Sequence, residues 1–264
     1  MNIAIIFAGG SGVRMGAGIP KQFLEIDGKP ILIHTLKLFE HHRLIDKIYV
    51  SMLSDYIPYT NRLVDEYRIS KVAGIVEGGV TAQDSIYNAL KYAQSENPND
   101  SIVLLHDGVR PFVSYEVITQ NIESVRKNGN AITCTPAVET FMLSENSHTV
   151  NSVPLRKHSF AAQAPQSFYL GDILGYHDAV RASKEGYEGV VDACTMLSKL
   201  GVPTHIVIGN RGNIKVTTPE DVYVFRGLLQ YKENEMIFGY GLTNRVNPQF
   251  GSIADSSEKT QSNL

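Results

Sequence analysis

Ile3 to Phe7 form an unbroken apolar run with the β-branched content of a buried strand, and the run ends directly in Ala8-Gly9-Gly10-Ser11-Gly12. Glycines at those positions let backbone N–H groups approach an anion with no side chain in the way. Arg14 and Lys21 add two full positive charges within the same short loop. A strand that empties into a glycine loop bearing two cations is a phosphate site in outline.

The rest of the chain repeats that rhythm. Phe23–Ile26 followed by Asp27-Gly28-Lys29 reads as a short strand and turn. Pro30 to Glu40 carries a helical stripe at Ile31, Leu32, Thr35, Leu36 and Phe39, opened by proline. Lys47–Leu53, Val72–Val76, Ile102–Leu105, Ala131–Ala137 and Thr204–Ile208 read as further strands. Tyr59–Tyr67, Thr81–Ala93, Val117–Lys127, Leu170–Ala182, Asp192–Leu200 and Pro219 to about Tyr231 read as helices. Such alternation predicts an α/β fold with a mostly parallel, Rossmann-like sheet flanked by helices. In these sheets ligands bind beyond the carboxyl ends of the strands. The glycine loop, the Gly78-Gly79 break and the His106–Pro111 loop each follow a strand, so they should converge on one sheet edge.

Two stretches depart from the rhythm. Around 139–163, Phe141-Met142-Leu143, a polar turn at Ser144–His148 and Val150–Val153 resemble a protruding β-arm with little to bury. From about Thr243 the chain is polar and rich in turn formers. The expected organisation is therefore one domain over 1–235 with an arm, and a disordered tail over 243–264.

A net charge of −3 and no basic run with interleaved aromatics argue against nucleic acid as a partner. No apolar run is long enough to span a bilayer, and Ile3–Ala8 lacks the flanks of a secretory signal, so the cytoplasm is the expected location and no membrane partner is expected. Cys134 and Cys194 have neither C-x-x-C nor metal spacing and read as buried free thiols.

The dinucleotide fingerprint would need Gly or Ala where Met15 stands, and Pro20 cuts off the helix that would carry a pyrophosphate. No Gly-Lys-Ser/Thr triplet supplies a Walker loop. Asp107, at the end of an apolar strand, is placed to bind a ribose hydroxyl or a divalent metal beside phosphates. Arg110 either meets a ligand phosphate or pairs with a neighbouring acid, and His106 is given no chemistry. Cations outnumber candidate bases, which suits transfer to an ionised phosphate nucleophile. Such a reaction needs alignment and charge neutralisation, with Mg²⁺ on a triphosphate contributing, rather than a general base.

Ala8-Gly9-Gly10-Ser11-Gly12-Val13-Arg14-Met15-Gly16 followed by Pro20-Lys21-Gln22 resembles the signature of the sugar- and polyol-phosphate cytidylyltransferases. Gly78-Gly79 with Asp84-Ser85, His106–Pro111, Thr140, Arg156, Ala164–Phe168 and Asn213–Thr217 follow in the family's order, from residue 3 to about 230. The closest groups are the ribitol-5-phosphate and the 2-C-methyl-D-erythritol 4-phosphate cytidylyltransferases. The resemblance implies a nucleotide-diphospho-sugar transferase fold, usually a homodimer whose arm embraces the partner. It implies CTP and a polyol phosphate as substrates, with Mg²⁺ accompanying CTP.

By the same resemblance Arg14, Lys21 and Lys215 act on the phosphates. Ala8, Gly9, Gly10, Gly12, Gly79, Asp84, Ser85 and Asp107 hold the nucleotide, Asp107 also being the candidate metal ligand. Arg110, Thr140, Arg156 and Thr217 reach the acceptor. Ala82 stands where members usually carry arginine, and Gly212 where the methylerythritol enzymes carry aspartate. The Ala-Gly-Gly opening, Val109, Pro165–Phe168 and Asp192-Ala193-Cys194 lie nearer the ribitol group, which points to a CDP-alditol for wall teichoic acid or capsule synthesis. Isoprenoid synthesis through methylerythritol phosphate is the alternative, and a relative that binds CTP without turnover is the alternative of another class.

Overall fold

A computed structural model describes residues 1–10 and 19–238 of the chain. Gly12, Arg14 and the 243–264 segment lie outside the described residues. The chain divides into two compact units, Met1–Asp221 and Val222 onward.

The first unit is built on a seven-stranded sheet. In chain order its strands are β1 (Asn2–Phe7), β4 (Lys47–Met52), β5 (Val72–Glu77), β6 (Ile102–Asp107), β7 (Asn130–Pro136), β8 (Phe160–Tyr169) and β9 (Ile206–Ile208), while β2 (Glu25–Ile26) and β3 (Lys29–Pro30) form a separate hairpin. The sheet order is β5-β4-β1-β6-β8-β7-β9, parallel at every pairing except the two made by β8. Six helices interleave with the strands: α1 (Ile31–His41), α2 (Ile57–Glu66), α3 (Ala82–Glu96), α4 (Tyr115–Asn128), α5 (Leu170–Ala182) and α6 (Ala193–Lys199). A seventh, α7 (Pro219–Phe238), begins in the first unit and makes up the described part of the second.

β1 and β6 are buried on both faces, which is why each reads as an apolar run rather than as an alternation. Ile3 and Ile5 of β1 join one core cluster with Ile86 and Leu90 of α3 and Ile173 of α5. Ala4 and Ile6 join the other with Leu32 and Leu36 of α1 and Ile118 and Ile122 of α4. Each fully buried isoleucine contributes about 1.5–3 kcal/mol. Helices on both faces thereby lock the register that places the strand ends. Phe7 pairs with Ser51 and with Asp107, and Met52 pairs with Glu77, so the loops after β1, β5 and β6 open on one edge as expected.

The strand β8 was not anticipated. Pro165 interrupts it and Gln163, Gln166 and Ser167 dilute its apolar character, both of which weigh against a strand in a sequence reading. It is nevertheless the sheet's antiparallel member, pairing with β6 and β7 along its length. The segment between β7 and β8 is an exposed excursion, closed by a single antiparallel bridge between Leu143 and Ser152 rather than a full ladder. Met142, Leu143, Val150, Val153 and Leu155 are each more than half exposed there. Cys134 is a buried free thiol, whereas Cys194 is only partly buried. Among the described residues no helix is long and apolar enough to cross a membrane.

Candidate active site

Gln22 is buried and donates from Nε2 to the Ala8 carbonyl at 2.6 Å, folding the segment after the glycine loop back onto the end of β1. That bond brings Lys21 to the loop, with its Cε 3.9 Å from where a Cβ on Gly10 would lie. Across from it stands the second glycine break. Thr81 caps α3 in a capping box: its hydroxyl accepts from the Asp84 N–H, and the Asp84 carboxylate accepts from the Thr81 N–H. Ser85 Oγ accepts from the Gly79 N–H at 2.9 Å and donates to the Thr81 carbonyl. A Cβ on Gly79 would sit 2.3 Å from Asp84 Cβ, so only glycine fits this turn. A Cβ on Gly9 would in turn lie 3.8 Å from Ser85 Oγ, so the two glycine loops approach each other here.

Between these loops is a cavity of about 500 Å³ whose walls include Gly9, Gly10, Lys21, Gly79 and Ser85. A second cavity, of about 220 Å³, is walled by Gln83, Arg110, Gln163, Gln166 and Asp192 among others. Phe7, Ala82, Asp107 and Lys215 line both.

The shared wall is an ion triad. Asp107 Oδ1 accepts from Lys215 Nζ at 2.6 Å, and Oδ2 accepts from Arg110 Nε at 2.7 Å. Burial alone would raise the Asp107 pKa, but the Lys215 and Arg110 charges and their hydrogen bonds outweigh it and hold the carboxyl below its ordinary range. The cations are themselves positioned. Arg110 Nη1 donates to the Asn213 carbonyl at 2.8 Å, and the Val216 N–H donates to the Val109 carbonyl at 2.9 Å. Asn210 pins the same segment by donating to the Phe112 carbonyl and accepting from the Ser114 N–H. Two cations against one carboxylate leave this wall net positive, and Lys21 lies on the larger cavity beside it.

Among the described residues, no base beyond the paired Asp107 stands at the triad. His106 is fully buried against Phe39, its Nε2–H donates to the Arg110 carbonyl at 3.0 Å, and burial pushes its pKa down to about 4. Nor do the described residues offer a metal cage: none of their His, Cys, Asp and Glu side chains gather in threes, and both oxygens of Asp107 are taken by cations.

Other anticipated residues sit elsewhere. Asp84 lines neither cavity; besides Thr81 it accepts from Arg181 Nη1 of α5 at 2.8 Å. Thr217 gives its hydroxyl and N–H to Asp221 at the start of α7. Thr140 and Arg156 stand exposed on the arm, away from both cavities of their own chain. Gln83, Gln163 and Arg181 carry no signal in the sequence, where a lone glutamine or arginine defaults to the solvated surface. Only the T-x-x-D spacing of Thr81 and Asp84 advertised its capping role.

A family model described as IspD, 2-C-methyl-D-erythritol 4-phosphate cytidylyltransferase, matches residues 2–230. The ribitol-5-phosphate cytidylyltransferase of Streptococcus agalactiae serotype Ia is 44% identical over 241 residues, 90% of this chain and 100% of that one. The 2-C-methyl-D-erythritol 4-phosphate cytidylyltransferase of Geotalea uraniireducens is 39% identical over 233 residues, covering 88% and 98%. Among solved structures, the 4-diphosphocytidyl-2C-methyl-D-erythritol synthase of Anaerococcus prevotii superposes with a TM-score of 0.75 at 29% identity, over 87% of this chain and 96% of that one.

Proposed function

The chain belongs to the IspD cytidylyltransferase family, and we propose that it transfers the cytidylyl group of CTP to D-ribitol 5-phosphate, giving CDP-ribitol and pyrophosphate. The observation that carries this reading is the pair of cavities meeting at Lys215 and Asp107. The larger, walled by glycine backbone and Lys21, suits a nucleoside triphosphate. The smaller, walled by polar side chains, suits a phosphorylated polyol. Their common wall is where a phosphate from each side would meet.

In that arrangement an oxygen of the acceptor phosphate attacks the α-phosphorus of CTP. One P–O bond forms, the bond to the β-phosphate breaks, and pyrophosphate leaves with its electron pair. A phosphate monoester is already largely ionised at neutral pH, since its second pKa is about 6, so no proton has to be removed. The spent carboxylate of Asp107 and the buried neutral His106 agree with a site that lacks a base. Lys215 and Lys21 neutralise charge building on the α-phosphate and the leaving group, a contribution worth about 10²–10³ in rate per donor in comparable sites. Mg²⁺ would accompany CTP and would help neutralise the triphosphate, and Asp107, already paired with Lys215 and Arg110, is the residue that would face it.

Ribitol phosphate is preferred over methylerythritol phosphate on the 44% against 39% identities over nearly the same span. The product would serve wall or capsule polymers. The exposed apolar arm supports a homodimer in which Thr140 and Arg156 reach the partner's acceptor cavity. A single-chain mass in sedimentation at micromolar concentration would remove that role.

The deciding experiment is pyrophosphate release from CTP and Mg²⁺ with ribitol, arabinitol and methylerythritol phosphates in turn. Ribitol 5-phosphate should give the highest kcat/KM. A higher value for methylerythritol phosphate would assign the isoprenoid reaction. Tight CTP binding without product from any acceptor would mark a nucleotide-binding relative.

A further inference from the structure

Most of the hydrogen-bonding capacity around the smaller cavity is consumed by the wall itself. Asp107 accepts from two cations. Asp192 Oδ1 accepts from the N–H and hydroxyl of Thr195, capping α6, and its Oδ2 accepts from Gln166 Nε2 at 3.0 Å. Gln166 Oε1 accepts from the Cys194 N–H at 3.0 Å. These groups hold shape; they have little left for a ligand.

Two amides do. Gln83, the second residue of α3, lines the cavity at 5% exposure, and among the described residues its side chain has no hydrogen-bond partner. Gln163, on β8, is half-committed. Asn213 Nδ2 must donate to the Ala164 carbonyl at 2.7 Å, which fixes the orientation of the Asn213 amide. The same Nδ2 reaches Gln163 Oε1 at 3.3 Å, so Gln163 presents its oxygen there and keeps Nε2 for the cavity. Gly209 makes room for this: a Cβ on it would lie 2.7 Å from Gln163 Oε1. The sequence thus clears space for an amide and orients it from behind.

We infer that Gln83 and Gln163 are specificity-determining residues that hydrogen-bond the hydroxyl groups of a phosphorylated open-chain polyol in the smaller cavity. This rests on reading that cavity as the acceptor side. A hydroxyl both donates and accepts, and an amide answers both roles, whereas an ammonium only donates and a carboxylate only accepts. Neutral amides also add no attraction for further anions, so their contribution follows the hydroxyls and not the phosphate. A cavity that hydrogen-bonds hydroxyls rejects the analogue lacking one, because its own polar groups are then left unpaired.

The test is pyrophosphate release by wild type, Gln163→Leu and Gln83→Ala. Each is run with D-ribitol 5-phosphate, a ribitol 5-phosphate lacking one hydroxyl, and 2-C-methyl-D-erythritol 4-phosphate. Each substitution should raise KM for the preferred acceptor roughly tenfold and leave KM for CTP within about twofold. It should also shrink the kcat/KM ratio between ribitol 5-phosphate and its deoxy analogue. Gln83→Ala removes a side chain that bonds nothing in the wall, so it carries the test if Gln163→Leu does not fold. Unchanged discrimination in Gln83→Ala, or a rise in KM for CTP equal to that for the acceptor, overturns the inference. A wild-type chain that releases no pyrophosphate with any acceptor overturns the functional reading instead, and this inference with it.

Discussion

The two cavities are made of different material. The larger one brings the backbone of Gly9, Gly10 and Gly79 to its ligand, beside the side chains of Lys21, Ser85 and Lys215. The smaller one is walled by Gln83, Gln163, Gln166 and Asp192, so its ligand meets side chains. Backbone walls present the same N–H groups whatever the neighbouring residues become, provided the glycines stay. Side-chain walls change with every substitution. A chain built this way can keep one nucleotide while its acceptor preference moves, which matches relatives named for two acceptors at 44% and 39% identity.

Lys215 belongs to both walls, and replacing it should produce the largest effect. Lys215→Ala leaves Asp107 with Arg110 as its remaining partner and removes the cation shared by the cavities. The expected result is a fall in kcat of about 10²–10³, with KM for either substrate changing much less, since the interaction matters most in the transition state. Steady-state kinetics with each substrate varied in turn will show this. A large change in one KM alone would place Lys215 in one cavity and dissolve the idea of a common wall.

The next effect should be confined to one side. Gly79→Ala forces a Cβ to within 2.3 Å of Asp84 Cβ, so the turn must open. Overpacking of this kind costs about 1–3 kcal/mol. Here it would be felt by the loop carrying Ser85. KM for CTP should rise about tenfold or more while KM for the acceptor stays within about twofold, the reverse of the pattern expected for the glutamines. An equal rise in both would mean that the cavities are not separable.

The contrast also explains what a sequence reading can reach. Glycines after apolar strands are local signals, and the loops they mark lie together on the larger cavity. Ile3–Phe7 and Ile102–Asp107 are buried on both faces and so announced themselves as runs. The smaller cavity offers no such signal. Its wall comes from β8, whose Pro165 and polar residues hide a strand, and from residues made functional only by distant partners. Gln163 depends on Asn213 and Gly209, and Arg110 on Asn213. Asp84 is the opposite case. The family resemblance put it at the nucleotide, whereas its carboxylate is engaged by Thr81 and Arg181 and lines neither cavity.

That last pair gives the smallest expected effect and the finest probe of the backbone wall. Arg181 lies on α5, with its guanidinium 4.5 Å from the Tyr87 ring centre and Nη1 2.8 Å from Asp84 Oδ1. The Thr81 hydrogen bond first, and Arg181 after it, keep the Asp84 carboxyl below its ordinary range. Both partners are partly exposed, at 42% and 28% of their side-chain surface, so solvent screens the pair and its worth is about 0.2–1 kcal/mol. The capping box survives without it. Arg181→Ala should therefore lower stability by about 1 kcal/mol or less in urea unfolding, and by less still at high salt. It should shift KM for CTP by no more than about twofold, because the Gly79–Ser85 bond and the Thr81 cap hold the shape of the turn without it. A tenfold loss of CTP affinity in this variant would show that the backbone wall leans on a remote side chain after all, and the two cavities would then be equally open to change by substitution.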